Sequence, residues 1–354
     1  MLSRMKLVGA AKLGLVALVA GLAAWSGGQT ALARPKPPTI YAPSPPPPMP
    51  DVSMGSRFVN AAGAFDTYMR EASTISPAFT DAQSVGSSLR VGAAYEPGQL
   101  RIGMVTYGAI AALTDSAFVA DVRRAGQTPE ARYALVARIF ANPRNALAFA
   151  DAARAAGLAK AALAATGMRL YNQGNAVKQA AYGIQHQSWS LQEVPDRDGR
   201  ANAVKHLSNA ARSASDNEKG TLDLMIGGEL PAGAPLQPAG GIYPGLVVRA
   251  VALAALAAIG QTTDDDAPRL GWLTDDYYLD HCLDEAKLAL FECLAVARPN
   301  YEDVFCLGQH AMKDTGICVV TSVGSAVPIE VYPTALAIPP AHIGAKTTRR
   351  RRHA

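Results

Sequence analysis

The residues of this chain best suited to chemistry are four cysteines, Cys282, Cys293, Cys306 and Cys318, all within residues 275–318. Such thiols can hold a metal, act as nucleophiles or pair as disulfides. Structural zinc favours cysteines separated by about two to four residues, whereas the gaps here hold ten, twelve and eleven. No metal ligand is therefore assigned. The stretch reads as two helices. Thr274 is placed as an N-cap, followed by Asp275 and Asp276 where the helix dipole favours negative charge. Leu279, Cys282, Ala286, Leu290, Cys293 and Ala297 then recur at steps of three and four, as on one helix face. Arg298-Pro299-Asn300 interrupts the run. Asn300 is expected to cap a second helix with Asp303 at its third position, running to about Lys313 and stopped by Gly316.

Four cysteines allow three pairings. Helices joined by a short loop lie antiparallel, so facing residues keep a nearly constant index sum. That sum is 599 for Cys293 with Cys306 and 600 for Cys282 with Cys318. A bridge between Cys282 and Cys293 would have to span ~16 Å of one helix, against a Cα separation of ~4.4–6.8 Å in disulfides. Crossed pairing fails on the same ground. The nested pairs Cys282–Cys318 and Cys293–Cys306 remain. One mismatch stands out: Cys282 and Cys293 differ by ~20° around a regular helix, but Cys306 and Cys318 by ~120°. The reading places Cys318 beyond the end of its helix. Over residues 282–318 the spacing resembles the paired-cysteine hairpins of the twin CX9C proteins. The resemblance is architectural only, because the gaps within each helix are ten and eleven rather than nine, and no function is carried over from that family.

The best polar cluster in the same stretch is Asp280, His281, Asp284, Glu285 and His310, with Asp280/Asp284 and His281/Glu285 each one turn apart. If His281 met His310 across the hairpin, a histidine and a carboxylate could share a proton or a metal. The competing reading is the solvated face of a stapled helix. His186, near Tyr182 and Trp189, could line a pocket or simply pack between helices. No G-x-S-x-G, H-E-x-x-H, P-loop or S-x-x-K motif is present. With the cysteines paired, no catalytic, cofactor-binding or metal residue is assigned.

Around this hairpin the chain divides by composition. Residues 1–33 read as a cleaved secretion signal: Arg4, Lys6 and Lys12, an apolar run over 13–25, and Ala31-Leu32-Ala33 as the cleavage site. Residues 34–53 form a proline-rich linker of extended character. Residues 54–226 are an alanine-rich helical region, 227–245 a Gly/Pro-rich loop, 246–321 an apolar core helix followed by the cysteine hairpin, and 322–354 a disordered basic tail. Within the helical region, 73–99 reads mostly as loop, Asn142-Pro143 opens a helix that Gly167 breaks, and 200–215 forms a short helix bearing His206. The stretch 246–259 is apolar all round, as in a core helix, and is the expected partner braced by the hairpin. The fold class is all-α: an antiparallel helical array or bundle with a C-terminal disulfide-stapled hairpin, flanked by disordered termini.

Charge narrows the partners. The formal net charge is +4, yet ten basic and no acidic residues lie in 1–50 and 346–354, so residues 51–345 carry −6. A basic run confined to one terminus, without interleaved aromatics, is a poor nucleic-acid footprint. It suits an anionic envelope surface better. The sequence therefore points to an exported, periplasmic or extracellular protein that binds or scaffolds, with an envelope protein or an anionic envelope surface as partner, no cofactor and no membrane span in the mature chain. Two alternatives are a secreted hydrolase using Asp/Glu with His186 or His281, and a carrier of an apolar ligand.

Overall fold

The computed structural model describes residues 48–229 and 240–328. The proposed signal, most of the linker, the middle of the Gly/Pro-rich loop and most of the basic tail lie outside these residues. The described part is all-α, with no strand. Helices α1 (Ser56–Ala72), α2 (Ala82–Gly92), α3 (Pro97–Leu113), α4 (Ser116–Ala125) and α5 (Pro129–Ala141) come first. α2 to α5 begin where the sequence supplies side-chain acceptors: Asp81, Glu96, Asp115 and Thr128 each accept from backbone N–H groups of the first turn. α2 and the start of α3 fall in 73–99, read above as loop. Its Ser and Gly residues lower helix propensity, but the Asp81 cap and a face of Val85 and Leu89 buried against the core outweigh it.

After Asn142-Pro143 the chain makes only a 3-10 segment, Pro143–Ala148, and the long helix α6 starts at Ala152. α6 runs unbroken for 33 residues to Ile184. Gly167 lies in its middle rather than ending it. A loop leads to α7 (Arg197–Ser208) and α8 (Asp216–Ile226), so the helix read over 200–215 is shorter and starts earlier. α9 (Gly245–Ala258) is the expected core helix: apart from Arg249 and its first residue, every position is buried. It packs on α3, α6 and the Pro143–Ala148 segment. Gly260, at φ +68°, ends it in the left-handed conformation, with Gln261 N–H donating to Leu256 O at 2.9 Å.

The hairpin is α11 (Tyr277–Val296) followed by α12 (Asn300–Cys306), a π-helical segment (Leu307–Asp314) and α13 (Thr315–Ser322), the last three forming one continuous rod. Disulfides join Cys282 to Cys318 and Cys293 to Cys306, each with Cα atoms 5.7 Å apart. The nested pairing is present, but the way Cys318 reaches its partner differs from expectation. Gly316 does not stop the helix. The wider i→i+5 turn of the π segment absorbs roughly one residue, which turns the ~120° offset between Cys306 and Cys318 back to ~20°. That matches the ~20° offset of Cys282 and Cys293. The rod ends at Gly324 instead, at φ +67°, where Ser325 N–H donates to Val320 O at 3.1 Å.

The caps also shift. Asp276, not Thr274, caps α11, accepting from Leu279 N at 3.0 Å and pairing with Arg249 of α9 at 2.5 Å. Asn300 does not cap α12: its amide donates to Gln192 O at 2.9 Å and Trp189 O at 3.3 Å, tying the hairpin loop to the segment after α6.

The hairpin's main partner is α6 rather than α9. The contact is a seam of glycines. An added side chain at Gly174 would meet Lys313 N at 2.5 Å and Met312 Cβ at 2.8 Å; one at Gly316 would meet Tyr171 N at 2.6 Å. At Gly308 it would collide with the backbone N of Lys178. Gly167 faces Val319 and Val320. Gly167 and Gly174 are seven residues apart, Gly308 and Gly316 eight, and the residue absorbed by the π segment brings the two rows into step. Tyr68 of α1 completes the packing by donating its hydroxyl to Ala311 O at 2.9 Å, inside the π segment.

Candidate functional site

The structure separates the polar residues that the sequence grouped. Asp280 is drawn to Arg101 of α3, Oδ1 lying 2.9 Å from Nε. Arg101 also pairs with Asp275 at 2.8 Å and donates to Thr274 O, so it clamps the start of α11. His281 and Glu285 meet at 3.2 Å on the exposed face, and the His281 ring stacks parallel to Tyr277. Asp284 is exposed beside them; burial, then the charges of Asp280 and Glu96, push its carboxyl up from the usual value. His310 does not meet His281. It pairs with Asp314 of its own rod at 2.8 Å, with the Phe305 ring edge-on beside it. His186 lies exposed on the turn after α6. Among the described residues no group of three or more His, Cys, Asp or Glu is arranged to hold a metal ion.

A more promising arrangement lies elsewhere, in a cleft of about 970 Å³ built from four segments. α1 supplies Asp66, Thr67, Arg70 and Glu71, α3 Tyr107, and α6 Arg169, while the 212–215 loop and α8 form the far wall. Local chemistry fixes that wall. Ser215 and Glu218 make a reciprocal capping box at the start of α8, with Ser215 N donating to Glu218 Oε2 at 2.7 Å. Gln99 grips the backbone of Arg212 twice, Nε2 to O at 2.6 Å and Oε1 from N at 2.8 Å. Gly63 has no side chain where Ala214 presses against α1.

Three arginines and three carboxylates share the cleft, and they are unequally matched. Arg70 pairs with Glu218 at 2.5 Å and Arg212 with Glu71 at 2.8 Å. Arg169 donates to the Thr166 hydroxyl at 3.1 Å. Among the described residues, neither Arg169 nor Asp66 has an opposite charge within ion-pair distance. Burial pushes the Asp66 carboxyl up, against the lowering influence of Arg70 and Arg169. Burial acts in the same direction on Glu218, but the Thr67 hydroxyl, hydrogen bonding at Ser215 and the Arg70 charge, in that order, overcome it and hold that carboxyl below its ordinary value. Tyr107, partly buried, is pushed up to about 12 by desolvation and the Asp66 charge. Thr67 is buried beside Glu218.

Two smaller grooves are more apolar. One, of about 380 Å³, lies over the Cys293–Cys306 bridge between Tyr182 and Phe305; the other, of about 490 Å³, lies along α5 between Tyr133 and Phe140. Comparison with protein families, curated proteins and solved structures finds no match to the chain. No single described helix is long and apolar enough to cross a membrane.

The sequence reading missed the cleft. Its residues come from segments up to 159 positions apart, from Asp66 to Met225, and no motif links them. The one local signal was Ser215-x-x-Glu218, a capping-box pattern that marks a helix start rather than a site.

Proposed function

We propose that this is an exported protein of the cell envelope that works by binding, and that the cleft between α1 and α8 is where it binds. The observation that carries the reading is an open polar cleft holding an unmatched carboxylate and an unmatched guanidinium, set on an otherwise filled interior. α9 supports the filled interior: Leu246, Val247, Val248 and the residues from Ala250 to Ala258 are at most 3 % exposed. An apolar carrier would need a chamber between such helices. A hydrolase gains some support from two carboxyls pushed in opposite directions, the pattern of an acid and a base. Yet both oxygens of Glu218 are engaged, by Arg70 and by Ser215 N, and no histidine lines the cleft. Two disulfides point to an oxidising, exported compartment. The N-terminal basic and apolar run with Ala31-Leu32-Ala33 supports secretion as the route, with an envelope protein as the partner of the cleft and an anionic envelope surface as the partner of the basic run at 346–354.

The test is sedimentation of purified, oxidised protein with washed cell envelopes. The protein is expected in the pellet, and Asp66→Asn with Arg169→Gln is expected to shift it to the supernatant. Release of soluble envelope fragments without retention of the protein would replace this reading with the hydrolase.

A further inference from the structure

We propose that the cleft takes a zwitterionic ligand, a short peptide with free amino and carboxyl ends, its ammonium against Asp66 and its carboxylate against Arg169. The inference rests on the binding reading above and specifies its ligand. The charges decide the class. Arg70 and Arg212 are already neutralised by Glu218 and Glu71, so a simple anion meets one available guanidinium and the repulsion of Asp66. A simple cation leaves Arg169 uncompensated. A ligand carrying both charges satisfies both groups at once, and such charge-assisted hydrogen bonds are about twice as strong as neutral ones.

Position supports the same pairing. Asp66 stands on α1 and Arg169 on α6, with Tyr107 of α3 close to both. The two charges are near enough to influence each other, form no ion pair, and both line the cleft. Other charged groups facing Asp66 are Arg70 and Glu71 on its own helix, Glu218 on α8, and Arg212 on the loop before it. Leu222 and Met225 of α8 make part of the far wall apolar, suited to side chains. At about 970 Å³ the cleft exceeds the needs of one amino acid and suits a peptide of a few residues.

The experiment is calorimetric titration of the oxidised full chain with trialanine, N-acetyl-trialanine and trialanine amide. Trialanine is expected to bind, and each blocked form to bind at least about tenfold more weakly, the loss of one charge-assisted hydrogen bond. Asp66→Asn should erase the difference between free and acetylated peptide while keeping the preference against the amide. Arg169→Gln should do the reverse. A structural role for either residue predicts equal weakening of all three ligands. Blocked forms binding as tightly as trialanine would overturn the proposal. Absence of trialanine binding with envelope sedimentation still sensitive to Asp66→Asn would overturn the ligand class and leave the binding reading standing; absence of both would remove both.

Discussion

The hairpin and the cleft share helix α6 but use it in opposite ways. Along Gly167 and Gly174 the helix gives up its side chains so that the π-containing rod can touch its backbone, and two disulfides close the arrangement. At Arg169, between those glycines in sequence but on an exposed face, it sends a charge into an open cleft. The first region is sealed and specified by backbone contact. The second leaves charges unmatched where they face solvent. The contrast locates function by default: groups held in unfavourable surroundings without a structural partner are where a protein trades stability for binding.

The largest effects should come from breaking the register of the hairpin. One alanine inserted between Lys287 and Leu288 would turn Cys282 by ~100° relative to Cys293. The outer bridge should then fail to form, detectable by non-reducing peptide mapping. It closes a span of 36 residues against 13 for the inner one, so its loss should cost about 4 kcal/mol against about 3 in the loop-entropy account. Deleting Gln309, by contrast, should let the π segment relax to a regular α-helix while the cysteines stay in phase. Both bridges should still map. If the deletion also abolishes the outer bridge, the π segment is not what aligns Cys318.

A smaller loss tests the seam. Gly308→Ala drives a methyl group into the α6 backbone at Lys178, and overpacking of that kind costs about 3 kcal/mol. Gly183→Ala, on the same helix α6 but with nothing within 4 Å of the new carbon, should instead stabilise by about 0.5–1 kcal/mol. Denaturant unfolding of the two variants measures the difference. Equal responses would mean that the glycines serve helix termination or flexibility rather than close approach.

These glycines also show what the sequence could and could not disclose. Cysteine spacing and the apolar run of α9 were legible because each is a local pattern with one dominant physical cause. Gly167 and Gly316 were misread as breaks because glycine is ambiguous locally: it ends a helix or admits a neighbour, and only the partner backbone decides which. The π segment was visible as a phase conflict between Cys306 and Cys318, but a helix end at Gly316 explained the conflict equally well; the stop is instead at Gly324. Asp280 and His281 were attractive because they sit one turn from other charged residues, a spacing that helix surfaces produce freely. Asp66 and Arg169 had no such neighbours in sequence, since their relation is created by the packing of α1 on α6.

The smallest effect bears most directly on function. The folded pKa of Asp66 is raised, so the folded chain holds its proton more tightly than the unfolded one. The sign follows from linkage: its contribution to stability is fully present below the ordinary carboxyl value of 3.8 and is lost as pH rises through the folded value. At neutral pH the ionised carboxylate is therefore a burden, and Asp66→Asn should raise the melting temperature there, with the advantage disappearing as the pH falls below 3.8. Glu218→Gln should act in the opposite direction, because hydrogen bonding and the Arg70 charge favour its ionised form in the fold. Paired melting curves across this range separate a carboxylate kept for a ligand from one kept for the scaffold. Should Asp66→Asn lower stability at neutral pH, Asp66 would join Glu218 as a structural partner of the arginines, and the cleft would lose its unmatched charge.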